Sequence, residues 1–176
     1  MRDRAILLTA FASGGRRRSE IANLRVEDLV EEEPVRAVPD DPISPPLPCL
    51  AIRLGRNKTT VPIGRPVEAL KHWLHEARID SGPVFRRIDR WGNVNQRALT
   101  PQSVNLILKV RCRKAGLDPQ EFSAHGLRSG YLTEAANRGV LLQEAMQQSQ
   151  HKSLTQAAAY YNNPERKRGR AARLLV

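Results

Sequence analysis

HGLRSGYLTEAANRGVLLQEAMQQSQHKSLTQAAAYY, residues 125–161, is the stretch around which the chain is organised. It opens on His125 and Arg128, three residues apart, and positions i and i+3 share one face of a helix. Helical sequence then leads to His151 and, nine residues further on, to Tyr160. Two histidines and an arginine followed by a tyrosine are the groups that a phenol needs to attack a phosphate.

The 176 residues suffice for one ordinary domain with a real core, and two are not expected. A formal net charge of +11 points to a polyanionic partner, nucleic acid first among them. Cys49 and Cys112 lie far apart and outside any CxxC pattern, so reduced thiols are expected rather than a disulfide framework or zinc site. The longest apolar run, AILLTAFA from Ala5, is too short to span a membrane and has no cleavage site behind it. A soluble, cytoplasmic protein that associates with the nucleoid is expected, with no membrane contact.

Upstream, DRAILLTAFA (3–12) has helical spacing, SGG (13–15) stops it, and SEIANLRVEDL from Ser19 reads as a second helix. Residues 31–48 hold six prolines, which predicts a long surface loop. CLAIRL (49–54) and TVPI (60–63) read as a hairpin with Lys58 near its tip. RPVEALKHWLHEARID is an amphipathic helix, and PVFRRIDRWGNVNQRAL reads as irregular with a turn at Asp89 and Gly92. Thr100 and Pro101 begin a helix ending at Gly116. Three more follow, Ala124–Arg138, Leu141–Ser149 and a short one around Thr155–Tyr161, after which Pro164 is expected to start a separate basic tail, 164–176. The expected class is mainly α with a small antiparallel β-sheet.

Arg17, Lys58, His125, Arg128, His151 and Tyr160 form a coherent set. Guanidinium forks match the non-bridging oxygens of a phosphodiester, and their charge stabilises a pentacoordinate transition state. No acidic cluster suggests a metal, and no cofactor is expected. His72 and His75 lack further ligands and read as surface or groove residues.

These motifs resemble the catalytic domain of the tyrosine recombinase (phage integrase) family, a DNA breaking-rejoining enzyme fold. RRSEIANLRVEDL resembles its first arginine box, which selects Arg17. HGLR resembles the H-x-x-R box, with His125 and Arg128. QHKSLTQAAAYY resembles the box in which a histidine precedes the nucleophile by nine residues, giving His151 and Tyr160. RLGRNKTTVPI resembles the hairpin that bears the catalytic lysine, giving Lys58, a role that Arg56 could share. Gln150 departs from the glycine usual before the second histidine, which is expected to alter the turn.

The resemblance implies site-specific recombination through a 3′-phosphotyrosyl intermediate, with Lys58 as general acid. It implies double-stranded DNA as partner and a homo-tetramer on DNA, with Arg16, Arg18, Arg56 and Lys152 as DNA-contacting residues. It also implies that the N-terminal core-binding domain is absent from residues 1–176, and the apolar end of the tail suggests exchange between protomers. A type IB topoisomerase and a non-catalytic DNA-binding remnant are the alternatives.

Overall fold

The structure is a computed structural model that describes residues 1–54 and 59–168, with side chains as far as Tyr161. Helix α1 (Arg2–Ala12) runs through the centre of the main core, with Ala5, Ile6 and Ala10 buried. Its small and branched side chains let α3 (Arg65–Glu76), α4 (Pro101–Lys114) and α5 (Gly126–Asn137) pack against it. Val67, Leu70 and Trp73 form the buried stripe of α3, and the Trp73 indole donates to the Val84 carbonyl at 2.8 Å. Burying a tryptophan requires such a partner for its N–H. Thr100 caps α4 by accepting from the Ser103 N–H, with Pro101 in the first turn, as its sequence predicts.

A smaller core joins α5 to α6 (Leu142–Ser149) and α7 (Leu154–Arg168) through Leu132, Ala135, Ala136, Ala145, Ala157 and Tyr161. The Phe11 and Tyr131 rings meet edge to face at 5.7 Å and tie the two cores together. Among the described residues no helix is long and apolar enough to cross a membrane.

The sheet is larger than the sequence suggests. Strands β1 (Leu29–Arg36), β2 (Pro46–Arg53) and β3 (Thr59–Thr60) form one antiparallel sheet in the order β1-β2-β3. Half of the loop expected over 31–48, residues 31–36 and 46–48, is therefore strand. Pro34 and Pro48 both fall where the β1–β2 register shifts, between Glu32↔Cys49 and Val35↔Leu47, so the ladder is already interrupted where their N–H groups are missing. Cys49 and Cys112 are buried free thiols.

Three further expectations are corrected. The stretch read as irregular forms a second hairpin, β4 (Arg86–Ile88) with β5 (Val94–Ala98), whose turn is closed by Asp89 accepting from the N–H groups of Trp91 and Asn93. Its polar strands lack the apolar alternation that would announce them. The second helix stops early: α2 covers Arg18–Ala22, and a 3-10 turn follows at Val26–Asp28. In between, Leu24 accepts from the Val84 N–H and Val26 donates to the Gly82 carbonyl, so strand-like pairing displaces helical bonding. Finally, α7 continues through Pro164 instead of ending before it. The Tyr160 carbonyl, which a proline at i+4 leaves without its helical donor, accepts from the Thr133 hydroxyl at 3.4 Å.

Gly14 and Gly15 hold these parts in register. Both have positive φ, +87° and +71°. A methyl at Gly14 would run into the Gln148 carbonyl and the Ser149 Cα, and one at Gly15 into the Arg128 Cα and the Leu127 carbonyl. Gly15→Ala is expected to destabilise the protein by at least about 1–3 kcal/mol, a fall in Tm of several degrees by thermal unfolding. Gly116→Ala, with φ +76° and open space around it, isolates the backbone strain, and an equal loss in both variants would rule out the close approach as the cause.

Candidate active site

Because Gly15 abuts Arg128 and Gly14 abuts the end of α6, the turn after α1 delivers Arg17 to the point where α5, α6 and α7 converge. Arg17 caps α2 in an extended conformation, with its N–H donating to Glu20 Oε2 at 3.0 Å and its guanidinium 3.8 Å from Glu20 Oε1. It lines a cleft of about 510 Å³ together with His125, Arg128, His151, Lys152 and Tyr160. His125 sits at the N-terminus of α5 and Arg128 within its first turn. Ser129, Gln150, Ser153 and Gln156 complete the polar lining. Tyr160 is 41% exposed, whereas Tyr161 is 5% exposed and packs in the smaller core. Consecutive residues on a helix point about 100° apart, so one tyrosine faces the cleft and the other cannot.

Arg16 is not a surface residue. It was expected among the DNA-contacting arginines, yet it is 2% exposed and donates to the Ser13 and Gln148 carbonyls, both at 2.6 Å. Those acceptors are chain ends of α1 and α6 that need a donor, and a buried guanidinium supplies it. Arg18 is exposed and donates to Gln102 at 3.2 Å, and Lys152 is exposed on the cleft rim. Arg56 and Lys58 lie outside the described residues. Val61, shortly after them, is held by Gln148, whose amide accepts from the Val61 N–H at 3.4 Å and donates to its carbonyl at 3.3 Å.

Gln150 ends α6 in a conformation that favours glycine. It adopts the left-handed conformation, φ 55° and ψ 39°, as the C-cap of α6, and its side chain donates to the Gln147 carbonyl at 2.7 Å.

The cleft is cationic and partly dehydrated. Burial, then the neighbouring Arg17, lowers the Arg128 pKa. Burial also lowers Arg16 to about 10, opposed by Glu20. His151 is pushed down to about 4, first by burial and then by Arg128, Arg16, Arg17 and His125, so it is neutral at pH 7. Its Nδ1 lies 2.7 Å from the Ser149 hydroxyl.

The model of the phage integrase family matches residues 1–167. The chain belongs to the phage integrase family. Over 87% of its length it is 35% identical to an integrase/recombinase xerD homolog from Selenomonas ruminantium, covering 45% of that protein. Over 91% of its length it is 26% identical to the tyrosine recombinase XerD of Xanthomonas axonopodis pv. citri, covering 50% of it. The chain thus spans about half the length of the curated relatives it matches. Among solved structures, the XerH recombinase bound to palindromic difH substrate superposes with a TM-score of 0.68 at 19% identity, over 96% of this chain and 44% of that one. The fold is that of tyrosine recombinase catalytic domains.

Within this phage integrase domain, the boxes name the groups that line the cleft but not the groups that hold them. Gln148 and Ser149 carry no signal of their own in the sequence, and the glycine pair signals only the end of α1. Gln148 was one polar residue on an amphipathic helix, and only folding brings it beside Ala12 and Val61.

His151 should titrate near pH 4 in the free protein, well below the ordinary value of 6.5, when its ring signals are followed by NMR. The unfolded chain binds this proton between about pH 4 and 6.5 and the folded chain does not, so stability rises with pH across that window. The contribution is complete above 6.5 and is lost as pH falls toward 4. His151→Gln should flatten that part of the stability profile, and an unchanged slope would contradict the assignment.

Proposed function

We propose that this chain is the catalytic domain of a site-specific DNA recombinase that breaks and rejoins strands through a 3′-phosphotyrosyl intermediate. The observation that carries this reading is the cleft in which Tyr160 faces Arg17, His125, Arg128 and His151. The Tyr160 oxygen attacks the scissile phosphorus and forms a new P–O bond as the bond to the 5′ oxygen breaks. The departing oxygen takes a proton, for which Lys58 is the assigned donor, and the phenol passes its own to His125. Arg17 and Arg128 hold the non-bridging oxygens, whose charge grows in the transition state. His125 assists proton transfer, and His151 donates a hydrogen bond to a phosphate oxygen. Because the phosphotyrosyl bond retains the energy of the original phosphodiester, the 5′ hydroxyl of another strand can reverse the step.

Double-stranded DNA is the proposed partner, contacted by Lys152 on the cleft rim, with Arg18 and Arg56 assigned as further contacts. The solved relatives support this, being XerH on difH substrate and a lambda integrase dimer on a COC′ core site. Strand exchange between two duplexes requires four nucleophiles, so a tetramer on DNA is the assembly proposed, with nucleoid association following from the DNA partner. The segment 164–176 is proposed to link protomers. The named relatives are recombinases, which disfavours the topoisomerase reading. A DNA-binding remnant would have no need for a tyrosine aimed at two arginines and two histidines.

Incubation with a randomised pool of nicked inverted-repeat duplexes should leave a covalent protein–DNA adduct on a denaturing gel. Tyr161→Phe should still form it if the fold survives, and Tyr160→Phe should not while binding DNA normally. An adduct that persists in Tyr160→Phe would refute the nucleophile. Lys58→Ala should cleave ordinary phosphodiesters slowly and recover on 5′-bridging phosphorothioate DNA, whose sulfur leaves without a proton. Absence of that recovery would remove Lys58 as the general acid.

A further inference from the structure

The hydroxyl of Ser149 is fully buried and has two acceptors in reach. The Met146 carbonyl is 3.5 Å away, at the outer limit of a hydrogen bond, and already accepts the Gln150 N–H at 2.8 Å. The His151 Nδ1 is 2.7 Å away, the usual distance for a hydroxyl donor. A hydroxyl has one proton to give. The short contact to an otherwise unshared ring nitrogen outweighs the long contact to an occupied carbonyl.

We propose that Ser149 is a positioning residue that donates its proton to His151 Nδ1 and so holds the ring in the tautomer protonated at Nε2. This rests on the recombinase reading given above and deepens it. With Nδ1 turned inward to Ser149, the opposite edge of the ring faces the cleft that Arg17, Arg128 and Tyr160 also line. A neutral imidazole has one donor and one acceptor, and only the Nε2–H tautomer presents a donor to a phosphate oxygen there. The reverse tautomer would present a lone pair to an anion, which is repulsive.

The arrangement depends on the left-handed turn at Gln150, which folds the chain so that side chains two residues apart meet. Gly14 lies against the Ser149 backbone, and the Ser149 side chain is buried from solvent. Removing it leaves Nδ1 without its donor in a dry environment, and the ring is free to adopt either tautomer.

The ring nitrogens report this directly. In protein labelled with 15N-histidine at pH 7, His151, assigned by the signals lost in His151→Gln, should show a bare Nδ1 and a protonated Nε2. In Ser149→Ala the two nitrogen shifts should move toward each other, and in Ser149→Cys, whose thiol is a weak donor, less far. With the nicked duplex pool, Ser149→Ala should slow adduct formation roughly three- to tenfold, the scale of one lost hydrogen bond, without a matching loss of DNA affinity. A protonated Nδ1 in the wild type, unchanged shifts in Ser149→Ala, or an unchanged adduct rate in that variant would each overturn the proposal. If the wild-type chain forms no adduct, the recombinase reading fails while the nitrogen shifts still decide the tautomer.

Discussion

The site depends on a backbone-to-backbone contact. Gly14 and Gly15 allow the turn after α1 to lie directly on the end of α6 and the start of α5, closer than any side chain would permit. That approach brings the segment carrying Arg17 against the start of α5, which carries Arg128. The contact is reinforced by Arg16, which bridges the Ser13 and Gln148 carbonyls from within. Burying a guanidinium is costly, and here its hydrogen bonds to orphaned helix-end carbonyls offset part of the cost. Two adjacent arginines therefore do opposite work: one is internal and structural, and its neighbour faces the cleft.

That internal charge has an electrostatic consequence. Arg16, Arg17 and Arg128 act on one another and on His151, with Glu20 as an acidic neighbour of Arg16 and Arg128. Their mutual repulsion in a half-buried cleft is unfavourable when the cleft holds only water. A phosphodiester entering it relieves the repulsion, which amounts to stored affinity for an anion with charge on several oxygens. His151 stays neutral in this field, so it contributes a hydrogen bond without adding to the positive charge.

Mechanical linkage runs through a few side chains. Gln148 reaches the Ala12 carbonyl at 2.8 Å and the backbone of Val61, joining α1, α6 and the far end of the β2–β3 hairpin. Thr133 on α5 holds the Tyr160 carbonyl, and Tyr161 anchors the same turn of α7 in the smaller core. The tyrosine in the cleft is thus carried by a helix whose neighbouring residue is its anchor. Moving one requires moving the other.

The boxes around Arg17, His125, Arg128, His151 and Tyr160 were legible because reactive chemistry tolerates few residue types and spaces them by helical turns. The helices α1, α3 and α4 were legible for the same kind of local reason: periodic apolar positions, a proline in the first turn, a glycine at the end. Elsewhere the deciding interactions were non-local. Prolines argued for a loop at 31–48, but a register shift shared with the facing strand accommodates Pro34 and Pro48. Pro164 argued for the end of a helix, but a hydroxyl 27 residues earlier takes up the carbonyl it leaves unbonded. Arg16, Arg17 and Arg18 look alike in sequence, and only packing against α5 and α6 makes one buried and two exposed. Local sequence determined which groups the protein carries and the helices that bear them. Tertiary structure decided which of those groups meet, because burial and backbone approach depend on residues that are far apart in the chain.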